Sequence, residues 1–426
     1  MPGTMPRPAS FVVAAAALAV AGPLAQTFLP RDHSAIQYST GAATDPVASL
    51  NQKLRSGTLR LSFETPHGYL RSVLAAFDIA PSSQTLVFSE NSLHRERISM
   101  ATPRALYFND SVAVGVVNGA DTIEIAAQDP IRGVMFYQLS QKAQPPPRFV
   151  RTTECLQCHL AAETSGVPGL FVTSVLPLSD NRNEYVQGWA TDHRTPIEDR
   201  WGGWYVTGSQ VPVRHLGNVP VTHVPRSYVR AAVAPRLASG VGTFDTRAYL
   251  SPDSDVVALL VLNHQLHMVN LLTRLGWEAR IASSEARPGQ PGSPSMRVRD
   301  IARELVDYLL FIDEAVLPSP VRGSTSFAHE FSSRGPRDSH GRSLRDFDLT
   351  RRLFRYPCSY MIDAAAFNAL PTAAKDLVYQ RLWQILSGQE TDKAYARLSL
   401  ADRRAIVEIL RETKKDLPRY FQAVTR

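Results

Sequence analysis

The feature that most constrains this chain is one five-residue run, Cys-Leu-Gln-Cys-His, at positions 155–159. Two thiols three positions apart on a helical turn can each form a thioether with one vinyl group of a porphyrin, and the imidazole that follows can bind the iron. The pattern predicts covalent attachment of a c-type haem through Cys155 and Cys158, with His159 as the proximal iron ligand. It occurs once in the 426 residues, so the expected cofactor is one haem c per chain.

Two other uses of a Cys-x-x-Cys pair fit the sequence less well. A thioredoxin-like redox pair usually lies between a strand and a helix, whereas Pro145-Pro146-Pro147 precede this one. A structural zinc site needs four ligands, and no second Cys or His pair has the required spacing. The third cysteine, Cys358, is expected to be a buried thiol that packs as a small apolar residue.

The N-terminus predicts export. Arg7 precedes an Ala-rich apolar stretch that ends in small residues, which is typical of a secretory signal peptide, placed here at residues 1–25. The apolar run is shorter than the ~20 residues that cross a bilayer. We therefore expect a periplasmic protein, with membrane association only if the N-terminal segment is retained as an inner-membrane anchor. Export agrees with the motif, because bacteria attach haem covalently to exported apo-cytochromes.

Charge limits the expected partners. The net charge is +7, and the basic residues are scattered along the chain rather than gathered in a run. A solvated surface is the favoured interpretation, and no nucleic-acid partner is expected. Basic side chains can attract an acidic redox partner protein, whose identity the sequence does not give, or pair with haem propionates.

The pattern of elements predicts an α+β fold with a sheet-rich N-terminal domain, a haem-bearing middle with short strands and loops, and a helical C-terminal part. Short apolar runs separated by turn signals between residues 85 and 139 favour an antiparallel sheet, and the clearest helix runs from 251 to 280. The expected divisions are a signal peptide at 1–25, a polar and weakly ordered lead-in at 26–58, a small α+β domain at 59–147, a haem-binding region at 148–250 and a mainly helical region at 251–426.

The distal iron ligand decides the chemistry, because a sixth protein ligand favours electron transfer and an open position favours binding of a small molecule. His193 is our first choice, since it begins a segment at 191–208 that is dense in aromatic, glycine and arginine residues. Aromatic side chains there can pack against a porphyrin, and arginines can pair with its propionates. The alternatives are His215 and His264, followed by Met268 and Met296.

Several motifs together resemble a family of exported, largely uncharacterised bacterial monohaem c-type cytochromes. They are the haem motif, Gly166-Val167-Pro168-Gly169, Asp192-His193, the run from Arg200 to Gly208, Arg214 to Asn218 and Tyr356 to Tyr360, and they span most of the chain. The resemblance implies haem binding by Cys155, Cys158 and His159, and electron transfer, without a known reaction.

Electron transfer is therefore favoured over catalysis. The alternative is a haem enzyme or gas-binding sensor, because 426 residues are many for one haem. A third possibility is that the haem has a structural or docking role in a larger complex.

Overall fold

A six-stranded antiparallel sheet occupies the N-terminal half of the chain in the computed structural model, which describes residues 28–143, 146–175, 188–219, 236–286 and 295–422. Its strands are neighbours in chain order, as expected when short turns connect antiparallel strands. They are β1 (Thr85–Val87), β2 (Arg104–Phe108), β3 (Val112–Val116), β4 (Thr122–Asp129), β5 (Gly133–Ser140) and β6 (Phe149–Arg151). The predicted sheet is confirmed, and β6 adds a strand that the sequence did not predict. The predicted signal peptide lies outside the described residues.

Helices dominate the C-terminal half, so the fold is α+β, as predicted. The described helices are α1 (Pro46–Arg55), α2 (Leu70–Ala76), α3 (Leu156–His159), α4 (Val256–Glu285), α5 (Met296–Leu309), α6 (Phe327–Ser333), α7 (Ala365–Asn368), α8 (Thr372–Leu386) and α9 (Leu400–Thr413). A two-stranded ribbon, β7 (Val172–Val175) and β8 (Gly188–Thr191), follows the haem motif.

Helix α1 lies inside the segment at 26–58 that was predicted to be a weakly ordered lead-in, so that prediction is wrong for these residues. Asp45 caps the helix by accepting from the backbone N–H groups of Val47 and Ala48. Val47 and Leu50 are buried, and the Tyr137 hydroxyl donates to the Asp45 carboxylate. Few apolar residues therefore suffice to dock this helix, because the cap and a buried hydrogen bond fix its start.

The sheet has two different faces. Residues opposite one another on antiparallel strands share a face, so the register places Gly115, Glu124 and Gln138 together, and Ala126 beside Phe136. We call this the outer face. The opposite face, with Ile123 and Ile125 on β4, is fully buried. The outer face is only partly buried and carries small residues.

Helix α4 is the central helix, and it is buried along almost its whole length. Asp255 caps its start by accepting from two backbone N–H groups. Among the described residues it is the one helix long and apolar enough to cross a membrane, but 94% of its most apolar window is buried inside the protein. That burial is typical of a core helix. The predicted helix at 251–280 is confirmed, with bounds shifted by about one turn.

Candidate haem-attachment site

The haem motif forms a single helical turn at the edge of the sheet. The Thr152 N–H donates to the Phe136 carbonyl on β5, which keeps the chain at the sheet after β6 ends. The backbone N–H groups of Cys158 and His159 then donate to the Cys155 carbonyl at 3.2 and 2.9 Å. Cys155 is half-buried and Cys158 is exposed, and neither forms a disulfide. The two thiols are thus held one helical turn apart and accessible.

The His159 ring has a defined orientation. Its Nδ1 atom lies 3.1 Å from the Gly169 carbonyl oxygen. A carbonyl only accepts hydrogen bonds, so Nδ1 carries the proton and Nε2 keeps its lone pair. The Gly169 N–H donates in return to the His159 carbonyl at 2.9 Å. The bond from Nδ1 fixes the tautomer in which Nε2 keeps its lone pair, and the reciprocal backbone bond holds the two residues together.

Asn270, on the central helix α4, holds the same peptide from the other side. Its side-chain oxygen accepts from the Leu170 N–H at 3.0 Å, and its side-chain nitrogen donates to the Leu170 carbonyl at 2.7 Å. The Leu170 N–H and the Gly169 carbonyl belong to one planar peptide unit, so Asn270 sets the plane that orients His159. A Cβ at Gly169 would lie 2.1 Å from the Asn270 oxygen, which explains the glycine.

The surroundings of His159 keep its imidazole neutral. The ring lies between Phe136 and Phe171, with ring centroids 5.2 and 5.6 Å away. Burial, with a smaller contribution from the positive charge of Arg104, lowers the pKa of His159 to about 4. At neutral pH the side chain is therefore uncharged and able to bind a metal.

The outer face carries an ion pair next to the motif. Arg104 pairs with Glu124, and both charges act on the pKa of Cys155 and of His159. A Cβ at Gly115 would lie 2.5 Å from the Arg104 guanidinium, so the glycine allows this side chain to cross the sheet. Burial and then Glu124 raise the pKa of Cys155 to about 11. A redox-active Cys-x-x-Cys pair requires a lowered thiol pKa, so this environment argues against a thioredoxin-like role.

The structure places His193 in different surroundings from His159. His193 is 2% exposed, its Nδ1 lies 2.8 Å from Nδ1 of His264, and its ring stacks on Tyr308 at 3.9 Å. His264 in turn bonds through Nε2 to the Ser359 hydroxyl at 2.7 Å. The charges that act on His193 come from arginines in the segment after β8 and from histidines on α4, whereas the outer-face ion pair acts on His159. Its role as distal ligand stays a prediction.

The remaining sequence candidates are also separate from the motif. His215 is buried against Trp201 and accepts from the Gly217 N–H through Nδ1. Met268 is fully buried, whereas Met296 is 80% exposed. None of these side chains makes a hydrogen bond or a ring contact with His159 in the described part of the chain.

One histidine that the sequence analysis did not single out lies on the outer face. Nε2 of His94 is 3.2 Å from the Thr122 hydroxyl on β4. Thr122 is two residues from Glu124, so both side chains project from the same face. No motif or periodicity marks His94, because its position depends on the sheet register.

The dense segment at 191–208 is largely internal structure. Arg200 is 2% exposed and donates to the backbone carbonyls of Thr195 and His193. The Trp201 indole N–H donates to Asn263, and the Trp204 indole N–H donates to the Thr173 carbonyl. These groups anchor the ribbon to α4, so their hydrogen bonds are already used within the protein.

Cys358 is fully buried, as predicted, and burial raises the pKa of its thiol well above the ordinary value. It is a free thiol. A buried, protonated thiol of this kind behaves as a small apolar residue.

Comparisons with protein-family models, with curated proteins and with solved structures gave no significant match, so the resemblance to monohaem cytochromes rests on the motifs alone.

Proposed function

We propose that this chain is an exported c-type cytochrome that binds one haem c covalently and transfers single electrons in the periplasm. The observation that supports this proposal most is the fixed orientation of His159. Its Nδ1–H is committed to Gly169, and its Nε2 lone pair is left for a metal. Metal-ligating histidines usually donate their second ring N–H to a carbonyl or carboxylate in this way.

The donor set fits the chemistry of a c-type haem. Two accessible thiols and one neutral imidazole come from a single helical turn, which is the set that the covalent bonds and the proximal ligand require. Bound haem would supply a reversible one-electron change at iron. Cys155 and Cys158 would hold it, and His159 would bind the iron.

The chain's own residues would then keep the ligand in place and tune it. Asn270 and Gly169 fix the imidazole plane, and Phe136 and Phe171 exclude water from two sides of the ring. The hydrogen bond that Nδ1–H donates makes the imidazole a stronger ligand for iron, which favours the oxidised metal. A protein that holds its ligand rigidly needs little rearrangement when the electron arrives, which suits a carrier.

A haem enzyme or gas-binding sensor with an open distal position is the second candidate. One observation favours it: His193 and His264, two of the predicted distal ligands, are hydrogen-bonded to each other in a buried cluster. Both ring nitrogens of His264 are hydrogen-bonded, to His193 and to Ser359, so His264 would lose one of these bonds if it bound iron.

Absorption spectra of protein exported from a strain with intact cytochrome c maturation test the proposal. We expect the reduced bands of a c-type haem, retained after denaturation and unchanged by carbon monoxide. Bands that shift with carbon monoxide would favour the second candidate. Loss of the haem on denaturation, or no haem at all, would refute both.

A further inference from the structure

A cavity of about 540 Å³ lies between α4, α5 and the segment that follows the haem motif. This volume is within the range of small-molecule sites in proteins, about 300–1,000 Å³. Phe171, Leu271 and Ile301 give it an apolar floor, and Glu163 and Glu304 are among the charged residues that line it. A site of this size and mixed lining can hold an organic molecule of one or two rings.

The cavity is distinct from the haem-attachment site. Among the residues that the structure describes, neither thiol nor His159 belongs to its lining. Phe171 lies between the two sites, because it lines the cavity and also contacts the His159 ring. A ligand in the cavity would therefore lie close to the motif without taking its place.

The arginines at the cavity are already paired. Arg194 contacts Asp192 at 2.7 Å, and Arg274 and Arg297 both contact Glu278, at 2.6 and 2.7 Å. An anionic ligand would have to compete with these partners.

His267 adds no positive charge to the cavity. Its Nε2 accepts from Arg194 at 3.0 Å, and burial lowers its pKa to about 4. At neutral pH it is an uncharged polar group in the lining.

The carboxylates on the other side of the cavity are less closely paired than the arginines. The nearest cation to Asp300 is Arg303, at 4.0 Å, and no ion pair involves Glu163 or Glu304 among the described residues. Partial desolvation raises the pKa of Glu304; the positive charge of Arg194 opposes this shift, and the negative charge of Asp192 adds to it. Four carboxylates line the cavity against three guanidinium groups.

We propose that this cavity binds a small organic cation with an apolar body. The ammonium group would lie against Asp300 and Glu304, neither of which has an ion pair shorter than 4.0 Å, and the apolar part would lie on Phe171, Leu271 and Ile301. Such a cation suits both parts of the site, because its ammonium group neutralises the excess negative charge and its apolar body removes apolar surface from water. This inference does not depend on haem binding.

Calorimetric titration with three phenylalkyl probes of similar size tests the charge preference. The probes are 2-phenylethylammonium, the neutral 2-phenylethanol and the anionic 3-phenylpropanoate, each added to the purified full chain. We expect the ammonium compound to bind at least tenfold more tightly than the other two, and its affinity to fall as salt is added. Equal affinities, or a preference for the anion, would overturn the proposal.

Variants then locate the site. Glu304→Gln combined with Asp300→Asn should weaken ammonium binding at least tenfold, whereas Asp376→Asn, which removes an exposed carboxylate on α8, should leave it unchanged. Thermal melts check folding, and the single change Glu304→Gln replaces the pair if the double variant unfolds. Undiminished binding in folded variants would refute the assignment. Binding retained in a double variant with Cys155→Ser and Cys158→Ser, which can form neither thioether, would show that it is separate from haem attachment.

Discussion

Replacing Asn270 by leucine tests whether the fold orients the proximal histidine. Asn270 is fully buried and makes two hydrogen bonds to the Leu170 backbone. Leucine has a similar size but cannot make either bond. The Leu170 N–H would lose its partner, and the peptide plane that carries the Gly169 carbonyl would be free to rotate. The hydrogen bond from Nδ1 of His159 to that carbonyl should then lengthen.

The substitution should change both the free energy of unfolding and the reduction potential. Each buried backbone group left without a partner costs about 1–3 kcal/mol, so the free energy of unfolding should fall by about 2–6 kcal/mol. Weakening the hydrogen bond that Nδ1–H donates makes the imidazole a weaker ligand for iron and destabilises the ferric state, so the reduction potential should rise. A net hydrogen bond of ~0.5–1.5 kcal/mol corresponds to about 20–60 mV for one electron, which is the upper limit of the shift.

Asn263→Leu is the matched control. Asn263 lies on the same helix, is also buried, and bonds to Thr191 and to the Trp201 indole, away from the Gly169 peptide. Its loss should destabilise the protein by a similar amount and leave the potential unchanged. Redox titration of both holoproteins, with urea unfolding alongside, separates the two effects. If the potentials of the two variants are indistinguishable, the Asn270–Gly169–His159 connection does not tune the iron.

Four further outcomes follow from the structure. Cys158→Ser should lose one thioether and shift the pyridine haemochrome spectrum, whereas Cys358→Ala should leave that spectrum unchanged. Gly202→Ala should lower the melting temperature sharply, because its Cβ would lie 1.8 Å from a backbone oxygen of β7. Gly276→Ala, which meets only the end of an arginine side chain inside α4, should be neutral or stabilise by up to about 1 kcal/mol. Acid should destabilise the protein through its buried histidines. The pKa of His264 is lowered to about 3 from an unfolded value of 6.5, so the unfolded state binds more protons between these values. The stability that comes from the neutral His264 is therefore lost as pH falls from about 6.5 to 3, at up to about 1.4 kcal/mol per pH unit. Urea unfolding at pH 7 and pH 5 measures this loss, and equal stability at both values would contradict it.

One buried carboxyl group opposes the histidines. Burial raises the pKa of Glu314 to about 7 from its ordinary value of 4.5, so the folded state binds the extra proton between these values. Its contribution to stability grows as pH falls through this window. Glu314→Gln should therefore steepen the acid loss measured by urea unfolding, and an unchanged slope would contradict the reasoning.

Local patterns in the sequence were sufficient to predict most of the framework. Alternating apolar runs with turn residues between them gave the strands of the sheet, because each hairpin is specified within about twenty residues. The run of apolar residues in α4 likewise predicted a buried helix. The lead-in was misjudged because the helix at 46–55 depends on Asp45 and on Tyr137, which is contributed by a distant strand.

The support for His159 could not be predicted in the same way. Gly169 was noticed as part of a motif, but its partner Asn270 lies a hundred residues further along the chain and looks like any polar residue of a helix. The segment at 191–208 shows the opposite error. Its aromatic and arginine residues suggested the lining of a cofactor site. Inside the protein, however, Arg200 donates a hydrogen bond to a backbone carbonyl and Trp201 donates one to Asn263. Composition alone does not distinguish residues that line a cofactor site from residues that hold two elements of the fold together.

The two hydrogen bonds from Asn270 to the Leu170 backbone do not by themselves require a cofactor, because any loop packed on a helix must satisfy its backbone groups. Two other features are harder to attribute to packing. A chain that needed only a tight turn at 155–159 would not gain from two thiols on the accessible side of that turn, one of them fully exposed. Nor would it gain from a neutral imidazole held with Nδ1 occupied and Nε2 available. Haem attachment explains the thiols, the imidazole and the predicted export together, which is why the spectrum of the exported protein is the decisive observation.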